Sequence, residues 1–510
     1  MKTQSLVFST IFLTIINIFI RILGFLYRIL LVRFIGSEGL GLFELISPVT
    51  SLVGTIVGSG VPIAMIRLTT KSIAKNKLGQ SFKTLEYTSW IMMILSLILS
   101  VFLYVNAPLI ATDILNDQRL ITPLRIFAPI ILFPSLSALL RGYFYGSKNV
   151  IPPALSQFGE QITRMIVVIS LLQLLSPFRE DKAISISIVG DVFGEITGLG
   201  ILIFFFVKLR KKFKKESNGK IPKVSPSKTI FSFGSIALPI TLSRVISSFL
   251  KVITSVIVPG RLVKSGLDQS ISLSQFGQVN GMVMPLLFIP FTLTSALVMN
   301  LIPRISEAVE KSNHNVLHRY LDKTFHITFL IGLPLSSIFY VFSDKIFFIL
   351  YNESNGTYLS QLSIATLFLC IYQISTSILQ GIGRQFFSTV HFIVGMILQL
   401  ILTYILVGNP SYQIEGYIIS YLISYCFISL ISFLSVFYFT KDRINTKKWI
   451  LEPLIATILA LVFSKFTYSF VNIYFNEFLS LMTSIIAFSI IYLGILFFTK
   501  NIQSFLKNRL

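Results

Sequence analysis

The stretch NIFIRILGFLYRILLVRFIG, Asn17 to Gly36, decides what kind of molecule this is. It is apolar enough to lie in a membrane, yet it carries Arg21, Arg28 and Arg33. A guanidinium near the bilayer centre costs about 2.5–3.5 kcal/mol even on lenient insertion scales, so it marks a function or a buried partner. The rest of the chain calls for the same solvent. Of 510 residues, 54% are hydrophobic and 13% are charged, with mean hydropathy +0.79. Soluble domains carry nearer about a quarter charged residues. The chain therefore reads as an all-α polytopic membrane protein. Its first apolar run, 6–35, is too long for a secretory signal and lacks a small-residue cleavage site, so it is expected to remain as a span.

A helix needs about 20 apolar residues to cross the hydrocarbon layer. That window finds about fourteen segments: 6–35, 42–66, 84–106, 121–140, 155–175, 184–207, 230–259, 272–302, 324–343, 359–380, 386–407, 414–440, 449–468 and 478–499. With the N-terminus inside, the inner segments hold 29 Lys and Arg against 7 in the outer loops, the other 7 of the 43 lying within spans. The positive-inside rule then places both termini in the cytoplasm of a multi-pass cell-membrane protein. It also accounts for the net charge of +22 without a nucleic-acid partner. Cys370 and Cys426 both fall in apolar runs, and the four histidines form no metal-ligand spacing, so neither a disulfide framework, a metal site nor a cofactor is expected.

The longest hydrophilic stretch, KLRKKFKKESNGKIPKVSPSK from Lys208 to Lys228, reads as a basic linker. It divides the chain into an N-terminal six-helix bundle (1–207), a cytoplasmic linker (208–229), a C-terminal six-helix bundle (230–440) and a terminal helix pair (441–510). The second bundle repeats the first. Pro48 matches Pro285 and Arg67 matches Arg304, each 237 positions apart; LYV at 103–105 matches FYV at 339–341 at 236, and Gly142 matches Gly381 at 239. An even number of spans per block makes the repeats parallel, related by an axis along the membrane normal, as in transporters that rock about a central site.

The basic residues repeat too. Arg21 and Arg28 on span one correspond to Arg244 and Lys251 on span seven, both at an offset of 223. Seven residues is about two helical turns, so each pair lies on one face about 10 Å apart. Spans one and seven contain no acid, which points to a wet, substrate-facing cavity rather than to ion pairing within those helices. Guanidinium forks match phosphate oxygens, so an anionic, phosphate-bearing head group fits and a cationic drug does not. Elsewhere the plainer readings hold. Arg33 sits near a helix end, where it can snorkel, and Arg164 lies four residues after Glu160, the spacing of an intrahelical ion pair. Asp191 and Glu195, also four apart, are the candidates for a coupling ion, Na+ or H+, against the simpler role of polar contacts near a helix start. Pro48 and Pro285 each remove a backbone bond and are candidate hinges.

The runs RILGFLYRILLVRFIGSEGLGLF, VPIAMIRL, LLRGYFYGSKNVIPPALSQFGEQITR and FGQVNGMVMPLLFIPFTLTSALVMNLIPRISEA closely resemble the stage V sporulation protein B group. That group lies in the polysaccharide-exporter branch of the multidrug/oligosaccharidyl-lipid/polysaccharide (MOP) exporter superfamily, and the resemblance runs from span one to about span twelve. It implies a MATE/MurJ-like fold of two six-helix halves, and a flippase for a polyprenyl-diphosphate-linked oligosaccharide in a Gram-positive, spore-forming bacterium. It further implies that cavity arginines on the first and seventh helices, here Arg21, Arg28 and Arg244, handle the substrate; Lys251 departs from arginine. The implied substrate is the peptidoglycan precursor lipid II for spore cortex, with cell-wall synthases as partners. A capsule or teichoic-type precursor lipid is the alternative.

The mechanism expected is alternating access with no covalent chemistry. A cation-coupled drug exporter of the same fold would carry carboxylates where spans one and seven carry basic residues. A membrane glycosyltransferase or polymerase would need a large outer loop with catalytic groups, and the outer loops are short.

Overall fold

Leu6–Gly58 (α1) runs helical for 53 residues. At 1.5 Å per residue that is about 80 Å, far beyond the roughly 30 Å of a hydrocarbon core. The element is two spans joined at Gly36, whose φ of 70° and ψ of −177° are not helical. A positive φ costs glycine nothing, and every other residue pays for its Cβ. The break falls between the first two expected spans.

The structure is a computed structural model that describes residues 6–75, 77–175, 180–216, 225–353, 355–441 and 447–498. Among them there is helix and turn but no strand, as the bilayer dictates, because a helix satisfies its own backbone polar groups. Buried hydroxyls follow the same rule. Thr88 donates to the Thr84 carbonyl at 2.8 Å and Ser420 to the Gly416 carbonyl at 2.6 Å, each one turn back. Eleven described helical segments are long and apolar enough to cross a membrane, the first of them, Ile15–Ala74, holding the first two expected spans. The centre of the basic linker, 217–224, lies outside the described residues.

The chain forms two compact units. The first comprises 1–260 and 269–277. After α1 it contains α2 (Val61–Ala74), α3 (Leu78–Leu109), α4 (Ile121–Phe127), α5 (Leu132–Gly146), α6 (Ile151–Leu174), α7 (Glu180–Glu216), most of α8 (Pro226–Lys264) and α9 (Gln269–Gly277). Its core gathers Leu42, Leu45, Met65, Leu103, Tyr143 and Phe144, with Phe82 and Phe206 each about one ring width from Tyr143, centroids 5.6 Å apart.

These boundaries differ from the division read in the sequence, where 230 onward belongs to the second bundle. The reason is close packing at glycine. A Cβ on Gly41 would lie 2.0 Å from the Leu273 carbonyl oxygen, one on Gly60 would lie 2.2 Å from that of Ala237, and one on Gly277 would lie 2.3 Å from that of Ser37. Backbones touch there because the side chains are missing, the usual device between helices in lipid.

The second unit comprises 261–268 and 278–510. A π-helical turn, Gln278–Val283, leads into α10 (Met284–Glu310), followed by α11 (His314–Val341), α12 (Ser343–Tyr351), α13 (Thr357–Leu362), α14 (Ala365–Gly381), α15 (Gln385–Val407), α16 (Gln413–Thr440), α17 (Glu452–Val471) and α18 (Glu477–Phe498). Phe325, Ile374, Ile378, Phe437 and Trp449 share its core. The terminal pair α17–α18 and the π-helical turn Lys447–Leu451 that leads into it are fastened to α11: Trp449 Nε1 donates to Asp322 at 2.6 Å and the Tyr492 hydroxyl donates to the Leu330 carbonyl at 3.0 Å.

Taken singly, the units contain matching details. In the first, Thr70 Oγ1 donates to the Gly146 carbonyl at 3.1 Å; in the second, Ser306 Oγ donates to the Gly381 carbonyl at 2.8 Å. The Asn149 N–H reaches back to the Phe144 carbonyl at 3.0 Å, with Lys148 at φ 58°; the Arg384 N–H reaches back to that of Leu379 at 2.7 Å, with Gly383 at φ 77°. The partner of Gly381 is therefore Gly146, not the Gly142 chosen from sequence. The two glycines of RGYFYG stand four residues, or about one turn, apart on the same helix face, so a residue match alone could not choose between them.

Candidate functional site

Arg28 sits eight residues, about two turns, before the Gly36 break in the first half of α1, and Glu44 lies on the second half. Along a straight helix they would stand about 24 Å apart, beyond the reach of both side chains. The turn at Gly36 folds the second segment back, and Arg28 Nη2 donates to Glu44 Oε1. Both side chains are largely buried, 28% and 15% exposed. The sequence pointed to a substrate-facing role for Arg28 because its own span holds no acid; the structure gives it a carboxylate partner from the next span. Glu44 falls in the second expected span, 42–66, but nothing in a separation of sixteen residues said that the two would meet.

Arg244 and Lys251 lie on α8 in the same compact unit as Arg21 and Arg28. Arg244 Nη1 donates to the Ser59 carbonyl at 3.3 Å, just beyond the C-terminal end of α1, where exposed carbonyls favour a cation. One turn on, Thr55 and Ser248 share a hydroxyl hydrogen bond of 3.1 Å. Arg21, Arg244 and Lys251 are all exposed on the unit. Lys251 makes no ion pair among the described residues.

Asp191 and Glu195 fall in a different place, among charges on α5, α6 and α7. Glu160 accepts from Arg141 Nη2 at 2.7 Å and from Arg164 Nη2 at 2.9 Å, the second being the i, i+4 pair expected from sequence. Arg164 Nε pairs with Asp191 Oδ1 at 2.7 Å. Glu195 Oε2 is buried with no hydrogen-bond partner among the described residues. Three carboxylates thus share two guanidinium groups. The sequence reading missed Arg141 because it placed that residue in an inner loop; the structure keeps it inside α5.

The two candidate hinges differ in setting. Pro48 lies inside α1, whereas Pro285 opens α10 directly after the π-helical turn. Interior proline leaves the carbonyl four residues back unbonded, which for Pro48 is that of Glu44; at a helix start the missing N–H costs nothing. No described group of three or more His, Cys, Asp or Glu is placed to hold a metal ion.

Residues 6–309 match the family model described as polysaccharide biosynthesis protein, and 239–405 match the MatE model. The chain is 28% identical over 424 residues to stage V sporulation protein B of Bacillus subtilis, spanning 82% of this chain and 80% of that one. It is 25% identical over 457 residues to the lipid II flippase MurJ of the same organism, spanning 85% and 83%. Among solved structures, that of lipid II flippase MurJ in an inward closed conformation matches with a TM-score of 0.73 at 17% identity over 96% of this chain and 99% of that one. An inward-facing multidrug MATE transporter of the MOP superfamily matches with a TM-score of 0.67 at 14% identity over 84% and 98%. An all-helical chain whose two halves repeat each other, matched by the family model over more than half its length, is a multi-pass membrane protein of the polysaccharide biosynthesis family, built on the MOP-superfamily fold.

Proposed function

We propose that this protein is a flippase that carries a polyprenyl-diphosphate-linked oligosaccharide from the inner to the outer leaflet by alternating access. One observation carries it: a basic pair seven residues apart occurs on α1 and again on α8, and all four residues belong to one compact unit. Phosphate is the ligand chemistry that uses guanidinium groups in a low-dielectric site. The family supports a transporter, and the relatives named above support a lipid-linked sugar as cargo. Lipid II, for spore cortex, is the substrate we favour, with cell-wall synthases receiving the product; a capsule or teichoic-type precursor is the second reading.

Both termini then lie in the cytoplasm, the basic inner loops facing anionic lipid. Each elementary charge is worth about 2.3 kcal/mol per 100 mV, so with the cell interior negative an anionic head moves outward downhill. Na+ or H+, held at Asp191 and Glu195, would serve the return of the positively charged empty carrier; Pro48 would let α1 bend, and Pro285 would hinge at the junction of the π-helical turn and α10. The test is to neutralise Arg21, Arg28 and Arg244 singly in cells and measure outward display of a labelled lipid-linked precursor. Each variant should lose display when normalised to its membrane abundance, and the Arg28 variant should accumulate least because it leaves Glu44 without its partner. Retained display by all three would remove the substrate role.

A further inference from the structure

The ion pair between Arg28 and Glu44 poses a problem for any account in which Arg28 binds phosphate: its charge is already answered. We infer that Glu44 is an internal stand-in for the substrate, a carboxylate that occupies Arg28 while the carrier is empty and is exchanged for the diphosphate when the lipid binds. The inference deepens the flippase reading and rests on it.

Three features make exchange rather than permanent pairing the better description. A lone guanidinium or carboxylate in a largely buried place is costly, so neither group can be left alone between cycles. The oxygens of a diphosphate accept from a guanidinium as a carboxylate oxygen does, and two of them can take its fork at once, so the ligand can replace Glu44 without rebuilding the site. The backbone at Glu44 also lacks one helical hydrogen bond. Pro48 lies inside α1, and the carbonyl it leaves without a helical N–H is that of Glu44 itself. Bending there swings the Glu44 side chain relative to Arg28.

The second repeat lacks this device. The position 237 residues after Glu44 is Gly281, and Lys251, the counterpart of Arg28, is exposed with no ion pair among the described residues. The two basic sites therefore divide the work. Lys251 presents a standing charge that any anionic head group meets on entry. Arg28 becomes available only to a ligand able to displace Glu44, which favours a diphosphate over a single carboxylate or a weakly charged phospholipid head. Competition by Glu44 also helps to expel the head group after the cavity opens outward. Glu44 is thus a positioning residue that sets specificity and release.

The experiment uses the full chain in lipid nanodiscs, with radiolabelled undecaprenyl diphosphate as the probe and neutral undecaprenol as its control. Glu44→Gln should bind the diphosphate about tenfold more tightly than the native protein, while outward display of labelled precursor in cells falls because release slows. Glu44→Asp should return both towards native values, and in an Arg28→Gln background Glu44→Gln should change neither. Unchanged or weaker binding by a well-folded Glu44→Gln protein, or an effect that persists without Arg28, overturns the inference. Should Glu44→Gln fail to accumulate, the exchanged pair Arg28→Glu with Glu44→Arg keeps the ion pair. It should fold and bind poorly, and transport by it would overturn the inference. A native protein that prefers the diphosphate alongside a silent Glu44→Gln removes only this inference. A native protein that binds undecaprenol equally well removes the flippase reading with it.

Discussion

Ser37 and Ser274 share a hydroxyl hydrogen bond of 2.7 Å, and they are 237 residues apart, the offset that relates Pro48 to Pro285. A residue is thus bonded to its own counterpart in the repeat. On either side of this bond Gly41 meets the Leu273 backbone and Gly277 meets that of Ser37, a near-reciprocal arrangement. Locally, the second segment of α1 and α9 are exchanged by an approximate two-fold axis through the two serines. Segments related in this way can pivot about each other while keeping the same contacts.

The close approach at that pivot should not tolerate a side chain. Gly41→Val places its Cβ against the Leu273 carbonyl and is expected to cost about 3 kcal/mol. Gly54→Ala, where nothing lies within 4 Å, should instead be neutral or more stable by about 0.5–1 kcal/mol, since alanine favours the helix. Thermal unfolding of the two purified proteins would decide it; equal melting temperatures would contradict the contact.

The charge network on α5, α6 and α7 should depend more on Arg164 than on Arg141. Arg164 pairs with both Glu160 and Asp191, whereas among the described residues Arg141 makes its ion pair with Glu160. Arg164→Gln leaves three acids to one guanidinium, and stripping a partner from a buried pair costs about 3–5 kcal/mol. Arg141→Gln should cost clearly less because Arg164 still holds Glu160. Chemical denaturation in detergent, comparing the two with Asp191→Asn, tests the order.

The matched helix ends predict opposite responses. Lys148 occupies a left-handed conformation, φ 58°, where the second unit has Gly383 at φ 77°. Lys148→Gly should stabilise and Gly383→Ala should destabilise, each by about 1 kcal/mol, because a Cβ is penalised there. Shifts of the same sign in the two variants would show that the ends are not equivalent.

Much of this was legible along the chain. Apolar runs gave the spans because the hydrocarbon layer admits only self-satisfied helix, and the repeat showed through paired prolines and arginines. Glu160 and Arg164 announced their pairing because four residues is one turn. The Gly142 match failed where two glycines shared a face, and glycine contacts set α9 against α1 and α8 against Gly60 within one compact unit, which no local pattern in the chain announces.

Sequence alone determined the solvent, the helical class, the two-fold internal repeat and the identity of the basic residues set inside it, all of which follow from hydropathy and local spacing. Only the tertiary structure decided that Glu44 answers Arg28, that Arg141 pairs with Glu160 on α6, and that Ser37 meets Ser274. Those pairings span 16, 19 and 237 residues. Helical periodicity fixes neighbours one turn away; at longer separations a backbone break such as Gly36 and the absence of side chains at Gly41 and Gly277 determine which groups come within reach.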